Sequence, residues 1–124
     1  MPYVDPADAN NWDSDTIAAI RARNGTGNWR EKIAASPRQR VVLLHWPPGT
    51  VQPAHYHPNT EETLVIHAGY AEFTMDTDRV TRAEPGSILF APRGCRHGVH
   101  VVGGEPLLMM CFLAPNIPND EILA

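Results

Sequence analysis

Cysteine is scarce in this chain. Only Cys95 and Cys111 occur in 124 residues, and they form neither a CxxC pair nor a disulfide framework. A small disulfide-built secreted fold is excluded, and a reducing compartment is expected. Long apolar runs are also missing: 43% of the residues are hydrophobic, yet no stretch approaches the roughly eighteen consecutive apolar residues of a membrane-spanning helix. The start, Met1-Pro2-Tyr3-Val4-Asp5, lacks the basic and apolar regions of a signal peptide, so a cytoplasmic location is expected. No basic run is present and the net charge is −4, which argues against nucleic-acid and acidic-membrane partners. A small molecule is the expected partner.

What the chain has in quantity is proline, twelve in all, lying almost wholly between short runs that read as strands. These runs are Val41 to Trp46, Val51 to His57, Glu62 to His67, Tyr70 to Asp76, Arg79 to Arg82, Ser87 to Phe90, His97 to Val102 and Leu107 to Leu113. Each is β-branched or alternating and bounded by Gly, Pro, Asn or Asp. Eight short antiparallel strands predict an all-β jelly roll, and a barrel of that size has room for one small ligand. The first 36 residues read differently. Asp13 or Ser14 is expected to cap a short helix through about Asn24, with Ile17 and Ile20 on its apolar side and Gly25 as its stop. Trp12 and Trp29 flank this helix and are expected to pack it onto the larger body. The organisation is thus a helical or extended cover over residues 1–36 and a β-barrel over 37–124, one domain overall.

Within the strands sits a set of polar residues with metal-ligand chemistry. His55 and His57 are two apart on one strand, so both rings point the same way while Tyr56 points the other. Glu62 shares a face with Leu64 and Ile66, and His97 follows a Pro-x-Gly turn. Three imidazoles and a carboxylate converging inside a barrel suit one divalent transition metal such as Fe, Mn, Ni, Cu or Zn, and leave two of six octahedral positions open. Open positions permit Lewis-acid or redox work, which a closed structural site does not.

The spacing is specific. Five residues separate Gly49 from His55, one separates His55 from His57, four lead to Glu62 and six more to Gly69. Later, five residues separate Gly86 from Pro92, one leads to Gly94 and two to His97. This resembles the two-part signature of the cupin superfamily, matched at nine positions across about residues 41 to 113. The match selects Glu62 over its neighbour Glu61, because only Glu62 keeps the interval to Gly69. Two positions depart from the family pattern: Val101 stands where an Asn usually follows the last histidine, and Ser87 where an Asp often follows the opening glycine. The resemblance implies a cupin-type jelly-roll barrel, metal held by His55, His57, Glu62 and His97, and pairing as a homodimer through a barrel sheet, for which Trp46 and Tyr56 are candidates.

Fold and metal do not define the reaction. An expected lining of Val99, Val101, Met109 and Cys111 makes the pocket apolar apart from the metal, which leans towards a dioxygenase or related oxidoreductase. A Lewis-acid isomerase, lyase or decarboxylase is the alternative, with His45, which shares a strand face with Val41 and Leu43, as acid or base if it looks into the pocket and otherwise as a surface or core histidine. Non-catalytic binding of a sugar or organic acid is the third reading. His67 and His100 fall on the opposite parity from the ligands and are expected outside. Arg93 and Arg96 flank the turn before His97 as solvated arginines or as holders of a substrate carboxylate, and Cys95 packs in that turn.

Overall fold

Along one strand Glu62, Leu64 and Ile66 turn to a buried side while Thr63, Val65 and His67 turn away, the period-two pattern of a half-buried sheet. A computed structural model describes residues 15–76 and 78–123. The expectations for Trp12, Asp13 and Ser14 lie outside those residues.

Among the described residues there is one helix, α1 (Ile17–Asn24), followed by strands β1 (Trp29–Ala35), β2 (Arg40–Trp46), β3 (Val51–Tyr56), β4 (Glu61–Ala68), β5 (Tyr70–Met75), β6 (Arg79–Ala83), β7 (Ile88–Ala91), β8 (His97–Val102), β9 (Leu107–Ala114) and the short β10 (Ile122–Leu123). They form two five-stranded antiparallel sheets, ordered β1-β2-β9-β4-β7 and β10-β3-β8-β5-β6. The sheets face each other as a jelly roll without closing into one hydrogen-bonded barrel. Between them lies the main core, in which Phe73 and Leu107 are fully buried and Ile66 and Val101 nearly so. The eight strands expected from alternation are all present.

Two strands were not expected. β1 is the edge strand of the first sheet, so the anticipated boundary at residue 37 falls between two paired strands, β1 and β2. β10 pairs Ile122 with Tyr56 and Leu123 with His55, closing the edge of the second sheet beside the histidines.

Helix α1 starts at Thr16, whose hydroxyl accepts from the Ala19 N–H at 3.1 Å. It stops at Gly25, where φ is +80° and the N–H donates to the Arg21 carbonyl. Its buried Ile20 packs on Leu43 and Leu108, so the helix covers the outer face of the first sheet. Arg23 ties this cover down by ion pairs to Asp15, at 2.7 Å, and to Glu31 on β1. No helix among the described residues is long and apolar enough to cross a membrane.

Candidate metal centre

Residues from three strands and the turn after one of them meet between the sheets. His55 lies on β3 directly opposite His97 on β8, and His57 follows just after β3. Glu62 arrives from the other sheet on the inward face of β4. All four are buried, and one ligand atom from each falls within 4.8 Å of the others. The rings of His55 and His97 are 4.3 Å apart, and those of His57 and His97 are 5.5 Å apart.

Each imidazole is oriented by a backbone carbonyl behind it. Nδ1 of His55 donates to Pro53 O at 3.1 Å, Nδ1 of His97 to Cys95 O at 3.1 Å, and Nδ1 of His57 to Asp120 O at 2.6 Å. A carbonyl only accepts, so each Nδ1 carries a proton and each Nε2 is the ligating nitrogen, turned inward. Glu62 Oε1 sits 3.0 Å from His97 Nε2 and 3.4 Å from His57 Nε2. The latter nitrogen is buried without a hydrogen-bond partner. An orphaned buried nitrogen, two further inward nitrogens and an ionised carboxylate fit a single transition-metal ion.

The charges are arranged for that role. Burial raises the Glu62 carboxyl, but the close approach of His57 and His97 outweighs it and brings its pKa down to about 2. The Glu62 carboxylate raises the His57 pKa against the opposing effect of burial. Burial, then the neighbouring His97, lowers that of His55.

The cluster opens into a cavity of about 430 Å³. Val99, Met109 and Cys111 line it as expected, but the lining is not apolar apart from the metal: Arg30, Lys32 and Arg40 stand on one wall and Asp120 and Glu121 at another. Trp46 also turns into this cavity, and its place there removes it from an outer pairing face. Glu121 reaches the cluster itself, with Oε1 3.3 Å from His55 Nε2 and a side chain 52% exposed. Neither Glu121 nor the basic wall was anticipated: Glu121 comes from the segment at β10, Arg30 and Lys32 from β1, and Arg40 from the first position of β2, just before the expected start of that strand.

His45 does not join the site. On β2 the cavity takes Val42 and Leu44, and His45 faces the helix side, stacked on Trp29 with ring centroids 5.3 Å apart and planes 3° apart. Its Nδ1 bonds the Gly27 carbonyl at 2.7 Å. Of the two readings of His45, the pocket acid or base is corrected: His45 packs beneath the N-terminal cover as a core histidine. Arg93 and Arg96 are exposed and do not line the cavity, and His67 and His100 are outside as expected. The Cys95 thiol donates to Asp76 Oδ1 at 3.2 Å.

The family model described as "Cupin domain" matches residues 42–113, more than half of the chain. The chain belongs to the cupin family. Among curated proteins, this cupin is 33% identical over 85 residues to germin-like protein 5-1 of Oryza sativa subsp. japonica, covering 62% of the chain and 36% of that protein. It is 29% identical over 89 residues to dimethylsulfoniopropionate lyase DddQ of Ruegeria pomeroyi, covering 72% of the chain and 43% of the lyase. The cupin therefore spans about four-tenths of the length of these relatives. Among solved structures, an uncharacterised double-stranded β-helix protein of Klebsiella pneumoniae matches with a TM-score of 0.71 at 27% identity, covering 98% of this chain and 96% of the other. The DddQ structure matches with a TM-score of 0.69 at 25% identity, covering 79% and 52%.

Proposed function

We propose that this cupin holds one divalent transition-metal ion, drawn from Fe, Mn, Ni, Cu and Zn, on His55, His57, Glu62 and His97, and acts as an enzyme on a small organic metabolite. The observation that carries this reading is the set of three Nδ1–carbonyl anchors, which commit all three Nε2 atoms to one point. When bound, the metal supplies a Lewis acid with open positions for a substrate oxygen.

Of the reaction classes, an isomerase, lyase or decarboxylase is the better supported. Glu121 places a solvated carboxylate at the rim of the cluster, where it can take a proton from a substrate held there. Gln52 and the basic wall add polar contacts that orient such a substrate. The similarity to a protein named as a lyase points the same way. The dioxygenase reading leaned on an apolar lining, and the charged walls remove that support. The homodimer implied by the family resemblance is likewise proposed, with molar mass from light scattering as its test.

The reaction class is tested by incubating metal-loaded protein with small organic acids in deuterated water while recording dissolved oxygen. Deuterium incorporation or bond cleavage without oxygen uptake is expected, with Glu121→Gln slower by about a hundredfold. Oxygen consumed in step with substrate would overturn the lyase or isomerase reading and restore the dioxygenase.

A further inference from the structure

The wall facing the histidines is built on a regular row. Arg40 on β2 pairs with Leu113 on β9, and Leu113 pairs with Glu62 on β4, so Arg40 and Glu62 occupy one cross-strand row of the same sheet. Two inter-strand steps put their backbones roughly 10 Å apart. The next rows inward carry Lys32 opposite Val42 and Arg30 opposite Leu44. On that face Val42 and Leu44 line the cavity, and so do all three basic residues. Among the described residues none of the three makes an ion pair. Nε of Arg40 is, in addition, buried without a hydrogen-bond partner. Arg40 is half-buried and lines the cavity, a buried donor without an acceptor is costly, and the planar fork of a guanidinium matches a carboxylate.

Charge bookkeeping supports the same ligand. A divalent ion on three neutral imidazoles and Glu62 leaves one positive charge at the cluster. Arg30, Lys32 and Arg40 add three, and Asp120 and Glu121 remove two, leaving the cavity doubly positive. A ligand with two negative charges neutralises it.

We propose that the substrate is a short-chain dicarboxylate, one carboxylate held by Arg40 with Arg30 and Lys32 on the adjoining rows, the other end reaching the histidine cluster two strands away along the Arg40 row. This rests on the metal reading above for the second anchor and for the count of two charges. The Arg40 anchor stands on the row geometry.

The test is calorimetric titration of metal-loaded protein with oxalate, malonate, succinate and glutarate, with succinamide and inorganic phosphate as controls. At least one dicarboxylate is expected to bind, with succinamide and phosphate much weaker. Arg40→Gln is expected to weaken that binding by about tenfold or more, since a charged hydrogen bond is lost, while metal content per chain stays at the wild-type value. Should Arg40→Gln fail to fold, Arg30→Gln with Lys32→Gln is the second variant, expected to weaken binding severalfold. No binding by any dicarboxylate, equal binding by succinamide or phosphate, or unchanged affinity in the variants would overturn the proposal. Protein that takes no metal but still binds a dicarboxylate through Arg40 would overturn the metal reading and leave the anion subsite standing.

Discussion

His57 and Asp120 are joined across 63 residues of chain by a 2.6 Å hydrogen bond, from Nδ1 to the backbone carbonyl. The carbonyl is held in place because the Asp120 side chain accepts from the Asn59 backbone N–H at 2.9 Å and from Asn59 Nδ2 at 3.1 Å. The segment before β10 thus works as a brace behind one ligand of the cluster.

Asp120→Ala keeps the carbonyl but frees it from Asn59. Metal affinity is expected to fall by about tenfold, the usual cost of losing an outer-shell partner, with little change in thermal unfolding of the metal-free protein. Competition against a chelator of known affinity measures this.

Metal affinity should also fall as the pH drops through the raised pKa of His57. In the metal-free protein the Glu62 carboxylate raises the pKa of His57 above its ordinary 6.5, and the ion must displace that proton. Affinity is therefore full above the raised pKa and drops by about tenfold per pH unit below it. Burial and His97 lower the pKa of His55, so it protonates after His57 as the pH falls, and Glu62 stays ionised down to about 2. In the metal-free protein Glu62 contributes stability that is complete above the unfolded value of 4.5 and is lost as pH falls towards 2. Chelator competition between pH 8 and 5, and acid unfolding of the stripped protein, read the two effects separately.

His45→Ala separates packing from chemistry. It removes the Gly27 hydrogen bond and the stack on Trp29, and is expected to cost about 1 to 3 kcal/mol of folding stability. Metal content and turnover measured on the folded fraction should be unchanged. A selective loss of turnover would return His45 to the chemistry.

Gly69 makes the tight turn between β4 and β5 at φ +82°, and a Cβ there would run into the backbone oxygen of Pro106. Gly69→Ala therefore combines a strained backbone with a collision that only main-chain movement relieves. A loss of about 2 kcal/mol or more in denaturant unfolding is expected.

The parts of this fold that were readable in advance are those with strong periodicity or strict spacing. Strand β4 alternates cleanly, and His55, His57, Glu62 and His97 stand at intervals that match the cupin signature, so strand and candidate ligands followed from the residues. β1 was missed because Trp29–Ala35 carries Arg30, Glu31 and Lys32 in succession, which hides the apolar alternation of a strand. Its polar inner face is what makes one cavity wall basic. The parity of β2 was misassigned because both of its faces are apolar, one covered by the facing sheet and one by α1. Alternation carries no direction in such a strand. β10 is two residues long, too short for any pattern, and with it went Glu121.

The most direct measurement is the metal content per chain of wild-type protein and of His57→Ala, by mass spectrometry, after purification without added metals and again after reconstitution. Close to one transition-metal ion per wild-type chain is expected, with the variant folded by circular dichroism and largely metal-free. Folded wild-type protein that takes up none of Fe, Mn, Ni, Cu or Zn, or a His57→Ala variant that retains a full complement, would contradict the assignment of the four residues as a metal site.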